Sequence, residues 1–504
     1  MLSSRRQFLK ASAATTAALG LGDLGFLSRL PQVSAAEAAM PPQVVRFSPE
    51  IEPLVRLLED TPRERLLEEV ASRIRHGLTY REVLAALLLA GVRNIQPRPV
   101  GFKFHSVLVV NSAHLASLSS PDSDRWLPIF WALDYFKSAQ AQDVREGDWT
   151  MPPPHESKIP SSATARMTFT EAMDNWDEVA ADNAVIGLAR TAGAQQVFEI
   201  FCRYGARDFR EIGHKAIYVA NSWRTLQAIG WQHAEPVLRS LAYGLLDRGA
   251  DPNPAKADLE ADRPWRTNQS MAGQIRPDWL DGAPNSAATT ELLEGLRQAS
   301  PVEASSKVVE LLNRRVAPQS IWDALFDGAG EMLMRRSDIL SLHALTCTNA
   351  MHYAFQNCWN DETRRLLLLQ NASFLPMFRG NPNELKSRRL DQLEPAGETD
   401  AKPPTLDEIF ADISHDRLRA ASKTLAWLQG NRAPQEFITA ARRLVFLKGN
   451  NAHDYKFSSA VLEDYQNVSP AWRERYLAAS VFNLRGSGDA DNELVKRTRA
   501  ALQG

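Results

Sequence analysis

A histidine and a lysine lie three residues apart in GNNAHDYKFSSAVL, the stretch from Gly449 to Leu462. Asn451 is positioned as an N-cap, so His453 and Lys456 occupy the first turns of a helix and share one face. The apolar residues that follow predict a buried face, and the positive end of the helix disfavours protonation of either group. A neutral imidazole and a neutral amine can bind a metal; the simpler alternative is a solvated lysine beside a hydrogen-bonded histidine.

Three further histidines lie inside apolar helical stretches. They are His105 in GFKFHSVLVV, His214 in REIGHKAIYV and His343 in DILSLHALTCTNAM. A buried histidine needs a partner for each ring nitrogen, and one metal shared with His453 supplies a partner to all four. The pattern therefore predicts a single metal centre, with four separately hydrogen-bonded core histidines as the alternative.

Two of these histidines are followed by another nine residues later, His114 after His105 and His352 after His343. Nine residues turn a continuous helix through about 900°, so the members of each pair face opposite sides. We favour His105 and His343, whose neighbours are more apolar, and keep His114 as an additional ligand for the case that the helix breaks near Asn111. The other histidines lie at predicted helix ends or in loops and are interpreted as solvated: His76, His155, His233 and His415.

Glu211 and His214 form E-x-x-H, the spacing that places a carboxylate and an imidazole on one helix face in carboxylate-bridged di-iron bundles. Those bundles contain the motif twice, and the nearest second copy here, Asp412 with His415, lies in a polar helix. A dinuclear centre is therefore the weaker alternative. Glu211 is instead a candidate partner that orients His214.

The elements that must position these residues are helices. Nearly every periodic segment has helical spacing, including TPRERLLEEVASRIRHG and TYREVLAALLLAGV, for which Thr61 and Thr79 are predicted caps. The sequence therefore predicts an all-α, large multi-helix globular fold with long irregular loops over 145–166, 247–286 and 378–404. Further helices are predicted over 103–118, 122–143, 167–191, 194–204, 207–229, 232–248, 288–313, 317–335, 337–357, 361–379, 404–429, 432–448, 451–466 and 470–485.

The N-terminus has the features of an export signal. Arg5 and Arg6 precede a weakly apolar run that ends in small residues near Ala39, which predicts a twin-arginine signal over 1–39 and a helical domain over 40–504. We therefore expect twin-arginine export to the periplasm or the extracellular space. No later apolar run reaches the roughly 18 residues of a membrane span, so none is expected in the mature protein.

The overall charge and the cysteine content exclude other classes. A net charge of −2 gives no electrostatic case for nucleic acid or an anionic membrane. Three cysteines, Cys202, Cys347 and Cys358, are too few for a disulfide scaffold and are interpreted as core thiols. There is no G-x-S-x-G motif and no recognisable Cys/His nucleophile signature.

The order of the histidine segments resembles the questin oxidase-like family. In that family an early histidine helix is followed by HLGY-like, MHLVTSS and DDxHxxK segments; KFHSVLVV, IGHKAIYV, SLHALTCTN and NNAHDYK stand in that order here, over about 350 residues. The resemblance implies a helical fold and a mononuclear non-haem iron centre for oxidising aromatic polyketides. It implies His105, His214, His343 and His453 as ligands, with Lys456 as a carbamylated ligand. The family's clustered first-helix histidines and its substrate loops are not recognisable in this chain.

Together, these features predict an exported metal-dependent oxidoreductase, a mononuclear non-haem iron oxygenase that uses dioxygen on a small organic substrate, aromatic in the family. Another first-row transition metal can serve in place of iron. The alternatives are a metal-dependent hydrolase or lyase that uses the same histidines, and a non-catalytic helical scaffold. Candidate substrate-pocket residues, each of which also suits core packing, are Trp131, Tyr218, Trp223, Asn349 and Tyr353.

Overall fold

The computed structural model describes residues 47–397, 403–430 and 432–503. Within these ranges the fold is all-α, as the periodicity predicts, and the β pairing there is limited to an isolated bridge between Ala283 and Val316. None of the described helices combines the length and the apolar character that a membrane span requires. The predicted signal over 1–39 lies outside the described residues.

The described ranges contain 22 α-helices. The first eleven are α1 (Glu52–Asp60), α2 (Arg63–Arg75), α3 (Tyr80–Asn94), α4 (His105–Leu118), α5 (Leu127–Glu146), α6 (Ala165–Asn175), α7 (Glu178–Thr191), α8 (Ala194–Gly205), α9 (His214–Ile229), α10 (Ala234–Leu245) and α11 (Arg263–Ala272). The others are α12 (Ser286–Leu296), α13 (Pro301–Asn313), α14 (Pro318–Arg335), α15 (Ile339–Asn357), α16 (Asp361–Arg379), α17 (Leu406–Ile413), α18 (Arg417–Gln429), α19 (Pro434–Lys448), α20 (Ala452–Asp464), α21 (Arg473–Ser480) and α22 (Glu493–Gln503).

Two of the three predicted helix caps are confirmed. The Thr79 side chain accepts the backbone N–H of Glu82 at the start of α3, while the Glu82 carboxylate accepts the N–H of Thr79. Asn451 forms the same reciprocal cap at α20. The prediction for Thr61 is wrong, because its backbone N–H donates to Leu57 at the end of α1 and its side chain does not cap α2.

Several predicted helices are interrupted by caps that periodicity does not reveal. The helices predicted over 167–191, 288–313 and 404–429 are each two helices, because Asp177, Ser300 and Asp416 accept backbone N–H groups and start a new one. The loop predicted over 247–286 contains α11.

Four of the helices supply the segments that carry the candidate ligands. Helix α9 packs against α4 and α15, and α20 packs against the same two helices from another side. Their residues are buried on nearly every face; in α4, for example, His105 to Ala113 are all buried. A helix that is apolar on all sides lies inside the core, so the candidate ligands are located near the centre of the fold.

Candidate metal centre

Each of three histidine rings is held by a hydrogen bond from Nδ1 to a backbone carbonyl oxygen. His105 and His214 are the first residues of α4 and α9, and their Nδ1 atoms lie 2.8 Å from the Phe102 oxygen and 2.6 Å from the Glu211 oxygen. In the second turn of α15, the Nδ1 of His343 lies 2.6 Å from the oxygen of the residue four positions earlier. Because a carbonyl oxygen only accepts, each ring carries its proton on Nδ1 and a lone pair on Nε2.

The three Nε2 atoms converge. The Nε2 of His214 lies 2.9 Å from that of His105 and 2.9 Å from that of His343. The ligand atoms of the three residues all lie within 4.8 Å of one another. Three lone pairs therefore point into one small space in the interior, where no water screens their repulsion.

A metal ion fits this arrangement. Two nitrogens that bind one ion at about 2.1 Å with a right angle between them lie about 3.0 Å apart, close to the spacing observed here. Burial lowers the pKa of all three histidines well below the usual range, so protonated rings do not relieve the repulsion. The three nitrogens can therefore hold one first-row transition metal.

Lys456 lies beside the three histidines, as its spacing from His453 predicts. Its side chain is 2 % exposed, and Nζ lies 3.5 Å from the Nε2 of His214. Burial lowers the pKa of Lys456 well below its usual range, so the neutral amine is favoured. As a hydrogen-bond donor, Lys456 reaches the Nε2 of His214.

His453 borders the cluster without belonging to the close triad. Its ring centroid lies 4.6 Å from that of His105 and 5.2 Å from that of His343. Its Nε2 is buried and has no hydrogen-bond partner within the described ranges, although the residue is half-buried as a whole. Burial is the main cause that lowers the pKa of His453 to about 3. His453 is thus a neutral base with a free nitrogen next to the centre.

The segment before His214 adopts an unusual backbone. The prediction of a continuous helix over 207–229 is wrong, because Glu211 (φ 49°) and Ile212 (φ 46°) have left-handed conformations and α9 begins only at His214. Gly213 (φ 78°) completes the turn, and a Cβ atom there would lie 2.6 Å from the Cys347 Sγ. Such backbone strain is retained where the surrounding structure fixes it, often at functional sites.

This turn changes the predicted role of Glu211. Since the residue is not helical, its carboxylate does not share a helix face with His214, and the orienting contact comes from the Glu211 carbonyl oxygen instead. The carboxylate lies 3.6 Å from the Lys215 Nζ, and burial raises the pKa of Glu211 to about 8. The second E-x-x-H-like pair also lies elsewhere: Asp412 pairs with Lys423, and His415 is exposed.

The same device holds His105. Phe102 has a left-handed backbone (φ 47°), and its carbonyl oxygen receives the His105 Nδ1 proton three residues later. Its side chain is 73 % exposed, so packing does not explain the conformation. Neither turn follows from the apolar periodicity. The residues that could have indicated them are the glycines beside each turn, Gly101 and Gly213.

The other histidines lie outside the cluster. Because α4 is continuous, His114 faces away from it and its Nδ1 lies 3.0 Å from the Tyr80 hydroxyl oxygen. His352 packs between Trp322 and Phe326, with ring centroids 4.8 and 4.9 Å away. Of the histidines interpreted as solvated, His233 is half-buried and the others are exposed: His76, His155 and His415.

The candidate pocket residues have packing or hydrogen-bond partners. Trp131 stacks on Tyr455 at 4.2 Å, the neighbour of Lys456 in α20, and Trp223 stacks on Phe198 at 4.3 Å. The remaining contacts are Tyr218 with Ser240, Asn349 with Arg224, Glu463 and Asp464, and Tyr353 with Gln227. Their contribution to substrate binding stays a prediction.

The cysteines are free and buried, as predicted for core thiols. Cys347 has a further role, because its side chain packs against Gly213 in the turn that precedes His214. Helix α15 thus supports His214 through Cys347 and presents His343 one turn earlier.

Comparison with known proteins identifies the N-terminal segment. Residues 3–22 match the TAT (twin-arginine translocation) pathway signal sequence. No curated protein and no solved structure gives a significant match to the chain. The signal establishes export by the twin-arginine machinery to the periplasm or the extracellular space.

Proposed function

We propose that this exported protein is a mononuclear non-haem iron oxygenase that acts on a small organic substrate, with His105, His214 and His343 as iron ligands. The observation that carries the proposal is the convergence of three Nε2 lone pairs in the protein interior, with both neighbouring Nε2 atoms 2.9 Å from that of His214. Such an arrangement is stabilised by a cation at its centre. His105, His214 and His343 would hold the iron, which would supply the activation of dioxygen for oxidation of the substrate.

The protein contributes orientation and charge control. Three backbone carbonyl oxygens hold the Nδ1 protons, which fixes the ring orientations and keeps the Nε2 atoms free. The low exposure of His105, His214 and His343, between 1 and 7 %, limits the access of water. His453, with its unpartnered Nε2, can bind as a fourth ligand or accept a proton from the substrate.

Lys456 is proposed to be a carbamate. Its neutral amine can attack carbon dioxide, forming an N–C bond and releasing one proton, to give an anionic oxygen ligand. Two observations support this proposal: the amine is buried, and it lies 3.5 Å from the Nε2 of His214. An anionic ligand would offset the charge of a divalent metal among neutral histidines.

The resemblance to the questin oxidase-like family enters at this point as part of the proposal. The four quoted segments together span about 350 residues of sequence. They supply the histidine triad, His453 and Lys456, which lie together in space. This proximity is what a shared metal site in such a family requires. An aromatic substrate follows from the resemblance and is proposed with it.

Elemental analysis of the mature protein, purified without a histidine tag, tests the proposal. We expect about one iron per chain in the wild-type protein, a loss of most of it in His214→Ala, and wild-type content in His114→Gln. His114 is a matched control because it is a partly buried histidine outside the cluster, and glutamine can keep the hydrogen bond with Tyr80. Equal metal content in wild type and His214→Ala, or no bound metal in either, would refute the metal centre.

The free nitrogen of His453 favours a second candidate, a metal-dependent hydrolase or lyase. A neutral imidazole beside a metal can serve as a general base for water or for a substrate carbon acid. Activity that is retained under strictly anaerobic conditions favours this candidate, whereas activity that depends on dioxygen favours the oxygenase.

A further inference from the structure

A second candidate site lies between α12, α14 and α16, which pack against one another. An inner space of about 20 Å³ is lined by apolar side chains, including Leu293, Leu296 and Leu375. An outer space of about 500 Å³ continues to the segment 382–389. Both spaces are lined by Arg297, Glu331 and Arg335, so they adjoin. We call the combined space the arginine cavity.

The arginine cavity has more positive than negative side chains. Its arginines are Arg297, Arg335, Arg379, Arg388 and Arg389. The carboxylates that line it or pair with its arginines are Glu294, Glu331 and Asp391. The arginine side chains at the cavity therefore outnumber the carboxylates, although the overall net charge of the protein is −2.

Only one of these arginines is well neutralised. Arg297 forms a bidentate pair with Glu331 at 2.9 and 2.7 Å and also contacts Asp391. Arg335 lies 3.9 Å from Glu331, and none of the ion pairs in the described part of the chain includes Arg388 or Arg389. Burial lowers the pKa of Arg335, and its positive neighbours Arg297 and Arg389 lower it further.

Helix ends account for part of this charge but not for all of it. Arg379 donates to the backbone oxygens of Leu296 and Ala299 at the end of α12, a usual position for a cation because helix C-termini are partially negative. Arg388 likewise donates to the backbone oxygen of Met334 in the last turn of α14, at 3.2 Å. Arg389 is exposed and lies in an irregular segment beyond the helices, so its guanidinium group is the one available to an anion.

A buried donor without a partner also points to a ligand. The side chain of Arg297 is only 9 % exposed. Its Nη1 atom is buried and makes no hydrogen bond within the described ranges. Leaving a buried charged donor without a hydrogen-bond acceptor is unfavourable, so a bound acceptor would stabilise this residue.

A glycine keeps the inner space open. Gly328 lies in the middle of α14, where glycine is less favourable than alanine for helix formation. A Cβ atom at this position would lie 3.3 Å from a methyl carbon of Leu296, 3.6 Å from one of Leu375 and 3.8 Å from one of Leu293. An alanine there would therefore project into the apolar part of the arginine cavity.

We propose that the arginine cavity binds a small organic anion. A single methyl group occupies the inner space of about 20 Å³ beside Gly328, and a carboxylate, sulfate or phosphate group accepts hydrogen bonds from Arg297 and Arg389. The histidine cluster does not line this cavity, so the site is independent of the proposed oxygenase chemistry.

Isothermal titration of the full mature protein with propionate, methyl sulfate and inorganic phosphate tests the proposal. We expect the alkyl anions to bind, and Arg389→Gln to weaken them about tenfold or more, the effect of losing one charge-assisted hydrogen bond. Arg166→Gln is the matched control: it removes the charge of an exposed arginine that, like Arg389, forms no ion pair in the described residues. Neither change touches the core, so both variants should fold.

Gly328→Ala separates the apolar contact from the charge. It should weaken the binding of propionate and leave the binding of inorganic phosphate unchanged, whereas Gly295→Ala, in α12 with open space around the position, should change neither. The proposal fails if none of the three probes binds at about 10 mM. It also fails if Arg389→Gln binds propionate as Arg166→Gln does, or if Gly328→Ala binds it as Gly295→Ala does.

Discussion

At the residue scale, the sharpest question concerns Lys456, whose amine lies 3.5 Å from the Nε2 of His214. If Lys456 is a carbamate ligand, Lys456→Ala should lower metal occupancy severalfold with little loss of stability. Lys456→Glu should recover part of the binding because it restores an anionic oxygen, and Lys456→Arg should not, since a guanidinium does not deprotonate.

Bound metal and melting temperature, measured for all three variants, distinguish a ligand from a structural lysine. Equal metal content in the wild-type, Ala and Arg proteins would show that Lys456 is an ordinary buried residue. A fall in melting temperature that parallels the fall in metal content, even with excess metal added, would show that the side chain acts mainly in packing.

The sequence was sufficient to infer which histidines cluster, but not which groups hold their rings in place. His105, His214 and His343 lie in apolar stretches, and helical geometry correctly turns His114 and His352 away from their partners. The orienting contacts come from backbone carbonyl oxygens, which have no side-chain signature. For that reason the prediction that the Glu211 carboxylate orients His214 is wrong, and the Glu211 carbonyl oxygen makes this contact instead.

At the scale of elements, the turn before α9 is the feature on which the site depends most. Gly213→Ala adds a Cβ atom 2.6 Å from the Cys347 Sγ and places alanine at φ 78°. Left-handed strain alone costs about 1–3 kcal/mol, and the contact adds to it. We expect a lower free energy of unfolding and a weaker metal affinity, measured by urea denaturation and metal titration.

Gly77→Ala is the matched control for this variant. Gly77 also has a positive φ, 103°, but nothing lies within 4 Å of the added Cβ atom. It should therefore lose stability through the backbone alone and retain metal affinity. Unchanged metal affinity in Gly213→Ala would show that the turn does not position His214.

Helix existence was predictable at this scale, whereas helix ends were less so. Periodicity reports which face is buried, and this information is enough to find most helices. A break such as the one at Trp176, which adopts a left-handed conformation before Asp177 starts α7, leaves the apolar periodicity intact and is therefore invisible to it.

At the scale of the whole molecule, buried acids should make stability depend on pH. Burial raises the pKa of Asp464 from 3.8 to about 8, while Asn349 and Tyr476 donate to its two oxygens. Between these values the unfolded chain loses the proton that the folded chain keeps, so stability falls as pH rises, by roughly 1.4 kcal/mol per unit. Asp464→Asn should remove this part of the slope.

Urea denaturation at pH 5 and pH 7 measures the difference. The loss of unfolding free energy from pH 5 to pH 7 should be smaller in Asp464→Asn than in the wild-type protein, by about 2–3 kcal/mol. Asp122→Asn alters a carboxylate that is 92 % exposed and should keep the wild-type slope. Identical slopes in all three proteins would exclude a protonated Asp464.

Export is also a property of the whole chain. The signal over 3–22 includes both arginines of the pair, so replacing Arg5 and Arg6 with lysines should leave a full-length precursor in the cytoplasm. Immunoblots of cytoplasmic and exported fractions measure this. Normal secretion of the double variant would show that another route carries the protein.

The cluster is spread along the chain from His105 in α4 to Lys456 in α20. This spread affects the cellular compartment in which a metal would bind. The site is complete only after synthesis of nearly the whole chain, and twin-arginine transport carries proteins that have already folded. Cytoplasmic metal supply, rather than that of the destination, would then decide which ion is loaded. If the proposed site binds iron, this order would protect it from copper and zinc, which bind nitrogen ligands more tightly and would prevail in direct competition outside the cytoplasm.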